Sequence, residues 1–338
     1  MSTNDALVDI QQLHVQFTGG ARPVQAVNGV DLRLAKGQTV ALIGESGSGK
    51  SVTLRSLLRL HPARRTRISG QIKVAGMDVL RLNARQLANY RGAVAAMIFQ
   101  EPLLALDPVY TIGQQISEAI RRHESISKNE AQQRALLQLE RVHMPSPERR
   151  LQAYPHEMSG GMRQRAMIAL ALACNPQLLL ADEPTTALDA TVQIQILLLL
   201  RELQRELGLT IIFVTHDIGA AVEVADSMAV MYAGRIVEFA DTRDIIYNPH
   251  HPYTQALLAS RAHGSLSKGS RLATIPGAPP DLANLPAGCS FAPRCTFASE
   301  HCQAEHPEVT DISAQHQVRC FHSDRVAAAN PRAVSEPA

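Results

Sequence analysis

The spacing of apolar residues changes period several times along the chain, and each change predicts an element. In residues 1 to 35 apolar and polar positions alternate, at Leu13, Val15 and Phe17 and again at Val30, Leu32 and Leu34, which predicts half-buried antiparallel strands. The stretch TVALIGESGSGKSVTLRSLLRL then reads as a short apolar strand, a glycine-rich turn and a helix that ends near His61 and Pro62. Strand-like alternation returns over residues 67 to 100, with Ile72 and Val74 and then AAMIFQ. Residues 101 to about 158 are predicted mainly helical, including SKNEAQQRALLQL, where Ser127 and Glu130 have capping-box spacing. That block reads as an inserted helical subdomain.

After MSGG a helix runs through MRQRAMIALALAC and stops at Asn175 and Pro176. QLLLADEP and LTIIFVTHD are apolar runs long enough for buried parallel strands, separated by the helix DATVQIQILLLLRELQREL, and MAVMYAGRIVEFA reads as a hairpin. This is α/β architecture. From about residue 245 the texture changes to Pro, Gly, His and Cys, which predicts a first domain over 1–245, a second over 246–325 and a loose tail over 326–338.

Composition narrows the class. A chain of 338 residues, 45% hydrophobic and 19% charged, suggests about two folded domains. Its net charge of +2, with acids and bases mixed, gives no large basic field, so nucleic acid is not nominated as a partner. The N-terminus lacks a basic region followed by an apolar one, and no apolar run approaches the roughly 18 residues that cross a bilayer. The expected location is cytoplasmic, with any membrane role exerted through partners.

Gly44 to Ser51, GESGSGKS, matches the phosphate-loop pattern between a strand and a helix. Gly44, Glu45, Ser46, Gly47, Ser48, Gly49, Lys50 and Ser51, with Val52 behind them, are therefore expected to bind ATP. Glycines let backbone N–H groups converge on phosphates, Lys50 neutralises the β- and γ-oxygens, and Ser51 ligates Mg²⁺. LLLADEP delivers Asp182 and Glu183 at the C-terminal end of a strand, where such sheets bind ligands. Asp182 is expected to hold Mg²⁺ through water and Glu183 to orient or deprotonate the attacking water. In MSGGMRQR, Ser159, Gly160 and Gly161 open a helix and form an anion site without a lysine. A second phosphate site is redundant in a monomer and makes sense facing the nucleotide of another subunit.

The phosphate loop, MIFQEP, MSGGMRQR, LLLADEPTTALDA and VTHD, in this order and spacing, resemble the ATP-binding subunits of ABC transporters over roughly residues 8 to 325. The resemblance implies an α/β P-loop ATPase with a RecA-like core, an antiparallel β-subdomain, a helical subdomain at about 101–165 and a small Cys-rich C-terminal domain. It further implies that Gln100 contacts Mg²⁺ or the lytic water, His216 senses the γ-phosphate, Asp189 bridges two subunits and Phe17 stacks on adenine. Phe17 on an alternating strand also reads as a core residue, and His216 as a buried structural one. Met162 and Met158 depart from residues common in the family, but neither removes a donor from the Ser159-Gly160-Gly161 backbone.

MIFQEPLLALDPVYTIGQQI, YPHEMSGGMRQRAMIALALACNP and NPHHPYTQALL resemble the dipeptide/oligopeptide importer branch, which also includes nickel and glutathione importers. By that resemblance the partners are a second, paralogous ABC ATPase subunit, two transmembrane permease subunits and an extracytoplasmic peptide-binding protein. The chain would sit peripherally on the cytoplasmic face of the cell membrane. Tyr253 and its neighbouring Pro and His read, from the residues alone, as a packed turn before a helix. A soluble ABC ATPase serving DNA repair or translation is the rival of another class, and a redox-regulated ATPase a second.

Cys289, Cys295, Cys302 and Cys320 crowd the C-terminal region of a chain with five cysteines, whereas Cys174 lies on an apolar helix and reads as core. A disulfide framework does not suit a reducing cytosol. Four thiols suit zinc or an iron-sulfur centre, and four unrelated buried thiols stay open as a third reading. Resemblance to the peptide-importer branch favours a [4Fe–4S] cluster. His301 and His322 neighbour the thiols in sequence and read first as solvated surface, with substitution for a thiol as the alternative. Such a centre would staple a region with little core of its own.

Overall fold

A computed structural model describes residues 6–186, 188–260 and 275–330. The residues of the expected tail from 331 onward lie outside that set.

The two alternating segments at the start form β1 (Ala6–Phe17) and β2 (Val24–Ala35), antiparallel, with Ile10 opposite Leu32 and Leu13 opposite Val30. β3 (Thr39–Ile43) is the first strand buried at every position, and β4 (Thr66–Val74) and β5 (Met77–Asp78) return to the first sheet. That sheet has the order β2-β1-β4-β5. β6 (Ala95–Ile98), β7 (Leu178–Asp182), β8 (Thr210–Thr215) and β9 (Ser227–Tyr232) join β3 in parallel. β10 (Arg235–Asp241) turns back antiparallel on β9, and β11 (Thr310–Ser313) and β12 (His316–Val318) complete an eight-stranded sheet, β11-β12-β10-β9-β3-β8-β7-β6.

Strands buried on both faces need apolar side chains at every position, and the large sheet shows why these runs do not alternate. Ala41, Ile43, Leu179, Ala181, Ile211 and Phe213 face one core, shared with the helical block. Their neighbours Val40, Leu42, Leu178, Leu180, Ile212 and Val214 face the other, shared with the small antiparallel sheet. The helical block contains Ile112–His123, closed by a Thr111–Gln114 capping box, and Lys128–Arg141, whose Ser127 cap accepts from Glu130 N–H.

Three expectations need correction. The interval read as strand-like over 67–100 contains the helix Ala84–Ala93, nucleated by a reciprocal Asn83–Gln86 capping box that lies between the two alternating stretches. The boundary expected at 245 is no break in packing among the described residues: the helix Pro252–Ser260 buries Tyr253, Leu257 and Leu258 in the main core, and β12 pairs with β10. The tail expected from residue 326 begins too early, because the helix Ser323–Ala328 buries Val326 completely and Asn330 Nδ2 donates to Tyr247 O.

Candidate functional site

β3 delivers the glycine-rich loop at its C-terminal end. Gly44 has φ 150° and Gly49 φ 104°, and a Cβ on either would stand 2.3 Å from Met231 O or 2.5 Å from Ala26 O, so glycine is required at both. Gly49 caps the helix Lys50–Leu57, whose first turn carries unpaired N–H groups. Lys50 is buried; its ammonium donates to Gly44 O and Glu45 O, both at 2.9 Å. Burial lowers its pKa, against the pull of Glu183, Asp182 and Glu45.

Asp182 ends β7, fully buried, and accepts a 2.6 Å hydrogen bond from Ser51 Oγ, while Arg55 Nη2 stands 3.5 Å from its other oxygen. A hydroxyl and a buried carboxylate in contact at the foot of the loop are the hard oxygen donors that suit Mg²⁺. Glu183 follows with φ 47°, a left-handed conformation uncommon for a side chain of this kind. Its Oε2 receives Gln100 Nε2 at 3.3 Å and Thr186 Oγ1 at 3.0 Å, and His216 Nδ1 lies 3.3 Å away. Because β6, β7 and β8 are parallel neighbours, residues just past their ends arrive at one edge of the sheet. Thr186 was not anticipated; the signal was a hydroxyl three residues beyond the carboxylate.

A cavity of about 1090 Å³ opens over the loop, lined by residues 44–52 with Gln100, Glu183 and His216. Phe17 lines it too, half-buried, with its ring edge-on to His61 at 5.5 Å. Ser159, Gly160, Gly161 and Asp189 do not line this cavity. Ser159 caps the helix Gly160–Ala171, accepting from Met162 N–H, and Asp189 caps Ala190–Leu207, accepting from Val192 N–H at 3.0 Å; both caps are exposed. One set of expected residues is therefore gathered in a single site, and the other set stands apart on the surface.

The C-terminal region lines the same cavity with Leu257, Ser260, Ile275, Pro279 and Leu282. Tyr253 is more than a packed turn, since its hydroxyl accepts Glu45 N–H at 2.7 Å. Arg294, which the sequence reading passed over, makes a bidentate pair with Glu45 at 2.7 and 3.0 Å. That hydrogen-bonded pairing raises the arginine pKa further.

Cys289, Cys295, Cys302 and Cys320 are all unpaired thiols. Cys289 N–H donates to Cys302 O at 2.8 Å, an approach that Gly288 permits because a Cβ there would stand 2.4 Å from the same oxygen. Phe297 N–H points at Cys295 Sγ at 3.3 Å and His322 N–H at Cys320 Sγ at 3.4 Å. Burial pushes the Cys295 thiol up to about 11 and Cys320 to about 12, and the neighbouring thiols add to both shifts, so the four share one neighbourhood. Among the described residues, no three His, Cys, Asp or Glu side chains are arranged to hold a metal ion. The histidines are engaged elsewhere: His301 stacks on Phe321 at 3.9 Å, and His322 Nε2 lies 2.9 Å from Ser299 Oγ. Cys174 sits against the main core, as its helix suggested.

The ABC transporter family matches residues 27–186, and the oligopeptide/dipeptide transporter C-terminal region matches residues 237–302. The dipeptide transport ATP-binding protein DppD of Bacillus subtilis is 46% identical over 95% of this chain and 96% of its own. The oligopeptide transport ATP-binding protein OppD of the same organism is 45% identical over 97% of this chain and 92% of its own. Among solved structures, the ATP-binding cassette MJ0796, a dimer in a post-hydrolysis state bound to ADP and Pi, superposes with a TM-score of 0.63 at 29% identity. It covers 70% of this chain and 99% of its own. With a phosphate loop, a Ser51–Asp182 contact and a supported Glu183 at one sheet edge, and relatives along nearly its whole length, the chain belongs to the ATP-binding proteins of the ABC transporter family that carry the oligopeptide/dipeptide transporter C-terminal region.

Proposed function

We propose that the chain is the ATP-hydrolysing subunit of a membrane importer of dipeptides or oligopeptides. The observation that carries the hydrolytic part is the convergence of Gln100, Thr186 and His216 on Glu183, beside the Ser51–Asp182 contact. The peptide part rests on the names of its relatives and on the matched C-terminal region.

Lys50 exchanges the Gly44 and Glu45 carbonyls for the β- and γ-oxygens of ATP, and the loop amides take the phosphates. Ser51 and Asp182 would hold Mg²⁺, which supplies charge neutralisation of the phosphates when bound. Glu183 orients the water and accepts its proton as the new P–O bond forms and the bond to ADP breaks. His216 and Gln100 fix that carboxylate, and Phe17 offers a ring to the base. Ser159, Gly160, Gly161 and Asp189 of one subunit serve the nucleotide of a second ABC subunit, an arrangement consistent with the dimer of the neighbouring cassette.

Just beyond Gln100 the apolar side chains of Leu103, Leu104 and Val109 are 54%, 81% and 69% exposed, a face suited to two permease subunits. Among the described residues no helix is long and apolar enough to cross a membrane, in keeping with attachment to the cytoplasmic face through those permeases. An extracytoplasmic binding protein would present the peptide. Cys289, Cys295, Cys302 and Cys320 we assign to a [4Fe–4S] cluster on the resemblance to the peptide-importer branch; the backbone N–H groups that reach the sulfurs of Cys295 and Cys320 would suit thiolates.

The direct test is Glu183→Gln, which should leave ATP binding intact and cut phosphate release by on the order of 10² or more. Unchanged turnover would remove Glu183 from the reaction. Anaerobic purification from membranes should recover permeases and about four irons per chain; zinc, or ribosomal partners, would overturn the assignment.

A further inference from the structure

Glu45 is the loop residue with no obvious duty toward phosphate, yet every polar group it has is taken. Its carbonyl accepts from Lys50, its N–H donates to Tyr253 Oη, and both carboxylate oxygens accept from Arg294. Two of those three partners lie more than 200 positions away in the chain, at separations of 208 and 249 residues. Arg294 also donates from Nε to Pro276 O at 2.8 Å, within the segment that lines the cavity through Ile275 and Pro279. Its side chain is only 4% exposed. One guanidinium thus grips the phosphate loop and a C-terminal lining segment together.

The position of Arg294 is set by a tight turn between two thiols. Ala292 N–H donates to Cys289 O, Arg294 N–H to Phe291 O and Cys295 N–H to Ala292 O. Arg294 further reaches Tyr232 Oη at 3.3 Å, above the packed rings of Tyr232, Tyr253 and Phe291.

A loop with glycines at 44, 47 and 49 has wide backbone freedom, and every conformation that scatters its amides lowers the fraction able to bind. The apparent dissociation constant is the intrinsic one divided by that fraction, so an external tether that removes wrong conformations tightens binding without touching the ligand. Backbone-only phosphate sites are sensitive to shifts of about half an ångström.

We propose that Arg294, supported by Tyr253, is a positioning residue for ATP: through Glu45 it holds the phosphate loop in its binding conformation, so that the thiol-bearing C-terminal segment sets the nucleotide affinity of the cassette. The inference rests on the ATPase reading above. It assigns to the C-terminal region a duty inside the ATP site itself. A planar guanidinium pairs bidentately with the carboxylate while its Nε reaches the carbonyl, a fixed fork that a single ammonium does not reproduce.

The test is a double-mutant cycle on the full chain, purified anaerobically, with equilibrium binding of fluorescent ATP, steady-state hydrolysis, and thermal unfolding without nucleotide. Glu45→Gln and Arg294→Gln should each weaken ATP binding about tenfold, a size usual for coupling between linked sites. The double variant should be no worse than the weaker single one, because both remove the same link. Arg294→Lys should recover part of the loss, and the defect should fall on the KM for ATP more than on kcat. Glu45→Gln leaves the bond from Arg294 to Pro276 in place and keeps the test open if Arg294→Gln does not fold.

Unchanged ATP affinity in folded single variants, with only a lower unfolding temperature, would reduce the pair to structural glue and overturn the proposal. Losses that multiply to about a hundredfold in the double variant would do so too, by showing separate action. Failure of the wild-type chain to bind ATP would instead sink the ATPase reading itself.

Discussion

The two ends of the chain reach the same cavity by different means. Around β3, β7 and β8, each candidate residue sits at or just past the end of a buried parallel strand, and the ladder of backbone hydrogen bonds fixes its place. The C-terminal region relies instead on a few long-range side-chain links: Arg294 to Glu45, His316 to Glu238, and the packed rings of Tyr232, Tyr253 and Phe291. A ladder averages its strength over many bonds, whereas a set of links concentrates it in single residues. Point substitutions should therefore be felt more sharply on the second side.

The largest effect is expected at Phe291, 3% exposed, which contacts both tyrosines. Phe291→Ala should cost about 3–5 kcal/mol in urea unfolding. The region shares the main core, so unfolding should stay a single transition; two separated transitions would break the comparison. Next is acid. His251 is buried, and desolvation lowers its pKa to about 4, so the folded state keeps it neutral while the unfolded chain protonates near about 6.5. Stability should then fall as the pH drops from about 6.5 towards about 4, by on the order of 3 kcal/mol at the low end. His251→Asn, which keeps an acceptor for Tyr253 N–H, should flatten that slope; an unaltered slope would point to other groups. The smallest change is on the cassette side: Lys50→Ala should weaken ATP binding by about 1.5–3 kcal/mol, the worth of charge-assisted hydrogen bonds, with little loss of fold. A collapse of the fold would show that this side too hangs on single residues.

The same contrast explains what the sequence made legible. Gly44 to Ser51, Asp182 and Glu183 are short strings whose proposed chemistry follows from a strand just before them, and in the fold they stand at or just past the ends of β3 and β7. Gln100 and His216 carry no such local logic; the roles proposed for them rest on resemblance, and they meet Glu183 only because three strands lie side by side. Arg294 was invisible because its partner is 249 residues away and nothing near it asks for a cation. Glu238 was hidden likewise: fully buried on β10, it is satisfied by His250 N–H, His251 N–H and His316 Nε2, all supplied from outside its own strand. Helix Ala84–Ala93 was missed for a local reason, since its cap residues stand between two alternating stretches that dominate a period-based reading.

The hairpin of β11 and β12 has one more consequence, for the behaviour of many molecules together. It meets β10 through only two residue pairs, Glu238 with Val318 and Phe239 with Gln317, and its outer strand offers mostly exposed positions, Thr310, Asp311 and Ser313 among them. Without it, β10 would present a row of free N–H and C=O groups to any neighbouring chain, an open template for strand addition. The short polar hairpin ends the sheet where growth is least welcome and guards a crowded solution against edge-to-edge aggregation.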